Sequence, residues 1–280
     1  MNGRRRVLVT NDDGIHASGL RWLAQAALAE GFEVVVAAPD YEASGSSASL
    51  TAIYRDRRLA VTRTDWDLPV EAYSVQASPG YVVMLAVIGT FDRKPDLVLS
   101  GINKGANTGH VVLHSGTVGA ALTAANHGIP AMAVSMDVLP VEDDSGSMAE
   151  YFAGAERGTL HWETASEVAR ELISTMDDLP RETVLNVNVP NRPLGTLKGL
   201  RRATLAPFGH VQMAVAETGE GYVRTTVERS TDRLQPDTDV VLLGGGYATV
   251  TVVSSVREMP VPHSLTAHLA TRSGDRQPVA

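Results

Sequence analysis

Val7-Leu8-Val9-Thr10-Asn11-Asp12-Asp13-Gly14 is the stretch on which the reading of this chain turns. Val7 to Val9 is an apolar run with the length and branching of a buried strand. Asn-Asp-Asp-Gly breaks it with turn residues. Leu20, Leu23, Ala24, Ala27 and Leu28 then recur at helical spacing and place an amphipathic helix over residues 18–30. Two adjacent carboxylates, Asp12 and Asp13, therefore stand where a buried strand ends and a helix is about to begin. In open α/β sheets that edge binds ligands. Side by side the carboxylates repel each other and resist desolvation. A divalent cation relieves both costs, and hard oxygen ligands suit Mg²⁺, Mn²⁺ or Ca²⁺. A plain turn with Asp as helix cap accounts for the same residues, so both readings stand here.

Outward from this stretch the pattern repeats. Residues 32–38 read as a second Val-rich strand, ended by Pro39-Asp40. Ser44-Gly45-Ser46-Ser47-Ala48-Ser49 has the composition of a flexible loop, or of one that wraps a ligand with hydroxyls and N–H groups. Small strands are expected between residues 50 and 75. Ser78-Pro79 then opens a helix through residue 88, with Ser78 as cap and Pro79 at its first position. Residues 96–99 form the next strand, followed by a loop, Ser100 to Gly109, rich in Gly and Asn. Ser115-Gly116-Thr117 opens a small-residue helix over 118–127, whose N–H groups and hydroxyls make either an anion site or a plain cap. Residues 131–135 give another strand. Strand–helix–strand repeated in this way is a doubly wound, mostly parallel α/β sheet, with the three marked loops at the C-terminal ends of its strands.

Later segments are read more coarsely. Glu142 to Ser147 is an acidic exposed loop, residues 163–176 a helix and residues 183–190 a strand. Past Pro193 the texture changes to short alternating pieces, at 211–215, 222–227, 240–243 and 247–254, read as strands or hairpins. Gly244-Gly245-Gly246 is read as a tight turn. The expected division is a catalytic part over residues 1–192, a β-rich extension over 193–259 and a loose tail over 260–280.

Composition narrows the function. A net charge of −8 disfavours a nucleic-acid polymer as partner but leaves room for a small anionic substrate. The absence of cysteine excludes disulfides, thiolate ligands and a Cys nucleophile. No apolar run approaches the ~18 residues of a membrane span, so no membrane partner and a cytoplasmic location are expected. His110 and His114 are four apart, but no helix is read there and no HExxH occurs, so a zinc site is not supported. No nucleophile-elbow serine motif and no P-loop is present.

Taken together, Val-Thr-Asn-Asp-Asp-Gly at 9–14, Ala-Pro-Asp at 38–40 followed by Ser44, Ser-Gly-Ile-Asn at 100–103 and Ser-Gly-Thr-Val at 115–118 resemble the SurE family of survival proteins. These are metal-dependent 5′/3′-nucleotidases. Leu185 to Pro190 and the run from Asp237 to Tyr247 extend the resemblance over residues 6–255. It implies a Rossmann-like core and a smaller C-terminal β-rich part that builds homodimers or homotetramers. It implies one divalent cation per subunit, Mg²⁺ or Mn²⁺, held by Asp12, Asp13, Ser44 and Asn103. It also implies phosphomonoester hydrolysis of a small substrate, a nucleotide, with Asp12 or Asp13 orienting water. Asn11, Asn107, Ser115, Gly116 and Thr117 then face phosphate or substrate.

Three departures from the family pattern surround the ligands: Ala43 in place of a basic residue, His114 in place of a Tyr, and His110-Val111-Val112 in place of acidic residues. They keep a phosphorylated biosynthetic intermediate open as substrate. A non-catalytic nucleotide- or metal-binding module is the second function class.

Overall fold

The computed structural model describes residues 4–138, 159–208, 211–229, 234–254 and 256–265. The acidic stretch at 142–147 and the end of the tail lie outside them. The first strand, β1 (Arg6–Thr10), is buried along its whole length. Helix α1 (Ser18–Ala29) follows and buries the expected stripe of Leu20, Leu23, Ala24 and Ala27. Strand β2 (Glu33–Pro39) pairs parallel to β1. Short strands β3 (Tyr54–Arg55), β4 (Arg58–Leu59) and β5 (Val61–Arg63) lead to β6 (Glu71–Val75), which is parallel to β2.

Helix α2 (Pro79–Val87) starts at Pro79 as expected. Ser78, however, does not cap it with its side chain. Its hydroxyl donates to Ser49 O at 2.6 Å and accepts from Thr51 N at 3.1 Å, tying the serine-rich loop down instead. Strand β7 (Leu97–Lys104) is longer than the sequence suggested. Ser100 to Lys104 do not form a loop; they continue the ladder to β8 (Ala131–Asp137), with a register shift between Gly101 and Asn103 that makes Ile102 the extra residue. Residues Gly109–His114 form a 3₁₀ turn, η1, not an extended segment. Helix α3 (Gly116–Asn126) runs to β8.

Helix α4 (Trp162–Ile173) and β9 (Thr183–Pro190) complete the repeating pattern. Beyond them come β10 (Leu200–Arg202), a hairpin of β11 (Val211–Gly219) and β12 (Tyr222–Arg229), helix α5 (Asp239–Gly244) and β13 (Ala248–Ser254). Residues 240–243, expected as strand, are thus helical. A four-residue apolar run has no period of its own, and Thr238 and Asp239 ahead of it start a helix.

The main sheet has nine strands in the order β10-β13-β9-β8-β7-β1-β2-β6-β5. Six central neighbours, β9 to β6, are mutually parallel. β5 and β13 pair antiparallel at either flank. The α/β reading therefore holds, and β10 and β13, from beyond residue 192, belong to the same sheet. One apolar layer, with Leu23, Leu99, Val134 and Val168, lies under α1 and α4. The other, with Leu8, Val83, Val118 and Ala121, lies under α2 and α3.

Strand order reverses beside β1: the chain builds outward through β2 and β6, then returns to lay β7 on the opposite side of β1. The crevice above the β1/β7 junction is the switch point where open α/β sheets bind ligands. Among the described residues no helix is long and apolar enough to cross a membrane.

Candidate active site at the switch point

Asn11 shapes the turn that ends β1. Its side-chain amide donates to Gly14 O at 3.1 Å and its oxygen accepts from Gly14 N at 3.2 Å, so both polar ends are engaged in bracing the loop. Asp12 is 3% exposed. Thr117 Oγ1 donates to Asp12 Oδ1 at 2.5 Å, and Ala43 N donates to the Asp12 carbonyl at 2.7 Å. Asp13 Oδ2 accepts from Lys104 N at 3.3 Å, next to Asn103 at the end of β7. The turn after β1, the loop after β2, the end of β7 and the start of α3 therefore meet at this pair of carboxylates.

Small residues make the meeting possible. A Cβ on Gly116 would lie 2.7 Å from Asp12 Oδ2 and 2.6 Å from Ser46 Oγ. A Cβ on Gly119 would lie 2.2 Å from Ser47 O. Across the sheet, a Cβ on Gly19 would lie 1.9 Å from Ile102 O, so α1 too is pressed against the end of β7. The serine-rich loop fills this gap in an ordered way: Ser47 donates from its amide to His114 O and from its hydroxyl to Leu113 O. Ser115 caps α3, its Oγ accepting from Val118 N at 3.1 Å.

Burial sets the electrostatics. It raises the pKa of Asp12, opposed by the Thr117 hydroxyl and backbone N–H groups. Burial, then the charge of Asp12, raises Asp13 to about 7. Glu42 adds negative charge against both. Glu42 was not singled out from the sequence; it precedes the expected ligand Ser44 by two residues, and Ser44 Oγ donates to Glu42 Oε1 at 3.1 Å.

The donor chemistry fits a hard divalent cation. Asn103 Nδ2 donates to Gly105 O at 2.8 Å, which leaves the amide oxygen as the end able to serve as ligand. Two carboxylates, this amide oxygen and the Ser44 hydroxyl make an all-oxygen set of the kind Mg²⁺ and Mn²⁺ take. Among the described residues no three His, Cys, Asp or Glu side chains come together for a metal. His110 and His114 lie on η1, where residues four apart do not share a face.

Asn107 is held from the sheet side. Its amide N donates to Asn188 Oδ1 at 2.7 Å, and its carbonyl accepts from Asn186 Nδ2 and Asn188 Nδ2, each at 2.9 Å. Its own Nδ2 donates to Ser135 Oγ at 2.8 Å. Two residues on, Gly109 N donates to Asp239 Oδ2 at 2.7 Å; Oδ1 of this fully buried carboxylate accepts from Ala206 N and Val240 N. The bonds of Asp239, Asn186 and Asn188 to residues 107 and 109 carried no local signal, because those partners lie about 80 to 130 residues away.

Comparison with known proteins shows the family to which the chain is similar. The model of the family described as "Survival protein SurE" matches residues 7–211. The protein called 5′-nucleotidase SurE from Carboxydothermus hydrogenoformans is 43% identical over 197 residues, covering 70% of this chain and 68% of that one. The Stenotrophomonas maltophilia protein of the same name is 35% identical over 254 residues, covering 89% of each. The crystal structure of a SurE protein from Aquifex aeolicus superposes with a TM-score of 0.68 at 25% identity, covering 96% of this chain and all of that one. With the family model spanning most of the chain and the same fold recovered in three dimensions, this protein belongs to the SurE family.

Proposed function

We propose that the protein is a divalent-metal-dependent phosphomonoesterase that hydrolyses nucleoside 5′-monophosphates, with 3′-monophosphates as further substrates. The observation that carries this reading is the adjacent pair of a buried Asp12 and a half-buried Asp13 at the switch point, with Asp12 bonded to Thr117 at the N-terminus of α3. The relatives' name, 5′-nucleotidase, supports the same class. Asp12, Asp13, Asn103 and Ser44 would hold the cation, Mg²⁺ or Mn²⁺, which when bound supplies positive charge against phosphoryl oxygens and acidifies water.

The chain's own groups take the remaining roles. At the start of α3 the Thr117 N–H is engaged with Asp12 and the Val118 N–H with Ser115 Oγ, so what the helix offers a phosphoryl group is the positive end of its dipole. Ser115 accepts a bond from Val118 N and keeps its own hydrogen to donate. The Thr117 hydroxyl is committed to Asp12, so its part is to orient that carboxylate. Asp13 has its Oδ2 bonded to Lys104 N; Oδ1 orients the attacking water in line with the departing ester oxygen.

A specialised phosphorylated intermediate is the second reading of the substrate. Val111 and Leu113 on η1 are 46% and 67% exposed and lead directly into Ser115. Val111 stands where the family pattern has acidic residues, so the surface beside the site differs from that pattern.

A homo-oligomer completes the proposal. The β11–β12 hairpin is a two-stranded sheet of its own with Val215, Tyr222 and Val223 exposed, and such a hairpin needs a further packing surface to be stable.

Phosphate release from nucleoside 5′- and 3′-monophosphates and an aryl phosphate, with Mn²⁺ or with chelator, tests the reading. Chelator-sensitive release that disappears in Asp13→Asn supports it. Release from the aryl ester alone favours the specialised substrate. No release from any ester by protein that binds Mn²⁺ turns the assignment to a non-catalytic binding module.

A further inference from the structure

We propose that Asn188 is a positioning residue that acts through Asn107 to set the spacing between the cation-binding end of β7 and the anion-binding start of α3. The inference rests on the proposed function and adds to it a residue outside the crevice.

The bonds at Asn107 are unusual in kind. The carboxamide of Asn188 closes a two-point ring with one residue's backbone, accepting from its N–H and donating to its C=O. A neighbouring strand offers its partner the same two groups, but here a single side chain does the work, and the chain does not have to continue as a strand. Asn186 adds a second donor to the same carbonyl. Both asparagines are buried on β9, at 0% and 1% exposure, and their neighbours in the sheet are fixed by the β8–β9 ladder. Asn107 is thereby fastened to a strand that is paired on both sides.

What lies on either side gives the fastening its purpose. Upstream, Asn103 is still in register with β8, opposite Ser135, and its amide is anchored on Gly105 O. Downstream, η1 leads without a break into Ser115 and α3. Residues 105–115 are the covalent link between the end of β7 and the start of α3, and Asn107 lies in its first half. Fixing Asn107 adds a tie from β9 to those that Asp239 makes to Gly109 and Ser47 to Leu113 and His114. Loosening it lets the segment ahead of the helix shift against the phosphoryl group, while the Thr117–Asp12 bond still holds the cation-binding carboxylate.

Asn188→Ala removes the ring. Asn186→Ala is the milder variant: Asn186 Oδ1 has no hydrogen-bond partner among the described residues, so truncation removes that acceptor along with one donor. Three quantities are measured on the full chain: Mn²⁺ affinity by calorimetry, affinity of the Mn²⁺-loaded protein for inorganic phosphate, and KM and kcat for the best phosphomonoester. For Asn188→Ala we expect Mn²⁺ affinity to hold within about twofold, phosphate affinity to fall and KM to rise by about tenfold, and kcat to fall less than KM rises. Asn186→Ala should move the same quantities in the same direction by about threefold. Phosphate affinity and KM unchanged in both variants overturn the proposal, as does a loss of Mn²⁺ affinity that matches the loss for phosphate. If Asn188→Ala does not fold, Asn186→Ala decides. A wild-type protein that binds Mn²⁺ and phosphate but hydrolyses nothing would sink the hydrolytic reading alone, since phosphate affinity still judges the clamp.

Discussion

Asp12 and Asp13 are ionisable groups held where water is scarce, and their behaviour follows from that. The pKa of Asp13 is raised to about 7 from an ordinary 3.8, first by burial and then by Asp12. The folded state thus holds a proton that the unfolded chain releases, and between these values stability falls as pH rises. Above about pH 7 the cost is complete, and a bound cation offsets it. Metal-free protein should therefore melt at a lower temperature at about pH 7.5 than at about pH 5, and Mn²⁺ should recover more of the loss at the higher pH. In Asp13→Asn the part of the slope due to this residue should vanish. Thermal scans with and without chelator read both. The same substitution should cut phosphate release by about 10²-fold or more while leaving the fold intact. Retained activity would remove Asp13 from the site. Thr117→Val removes the hydroxyl that orients Asp12 and should lower kcat by about tenfold with circular dichroism unchanged.

Among elements, α3 is the one whose start matters most. Gly116 lets the first turn approach within contact of Asp12 and Ser46. Gly116→Ala places a methyl group between them, and the helix must back away. A loss of about 1–3 kcal/mol in stability is expected, with activity falling further than stability explains. Denaturant melts alongside kinetics separate the two. The element scale also shows what the sequence made readable. The strand–turn–helix from Val7 to Ala29, the Ser115 cap and the Pro79 start were legible because each is written in residues a few positions apart. The continuation of β7 through Gly101 and Asn103 was not, since Gly and Asn are turn residues and only pairing with β8 makes them a strand. Residues 240–243 misread for the same reason: a short apolar run takes its conformation from what flanks it.

For the molecule as a whole, long-range ties complete the site. Asp239 collects three N–H groups from residues 109, 206 and 240 and so links the C-terminal segment to the loop ahead of α3. Asp239→Ala leaves these donors unsatisfied, and a loss of about 2–4 kcal/mol should appear in chemical denaturation. Asn186, Asn188 and Asp239 escape sequence reasoning because a buried polar side chain that serves a distant backbone has no local pattern. The four expected ligands could be proposed from the sequence because they fall in short motifs near strand ends. Deleting residues 211–229 should leave the nine-stranded sheet intact and lower the mass measured by light scattering if the hairpin joins copies.

The order of strands has one more result, which concerns synthesis. β13 lies between β9 and β10, although it is made after both. Until residue 254 has left the ribosome, β9 has no partner on its outer side, and β10 has no place in the sheet. The nascent protein must therefore carry an open, apolar strand edge from the emergence of residue 190 until that of residue 254, the kind of edge that recruits other chains. Protein released early, before residue 248, should aggregate, whereas a stop after residue 259 should give chains that close the edge on release.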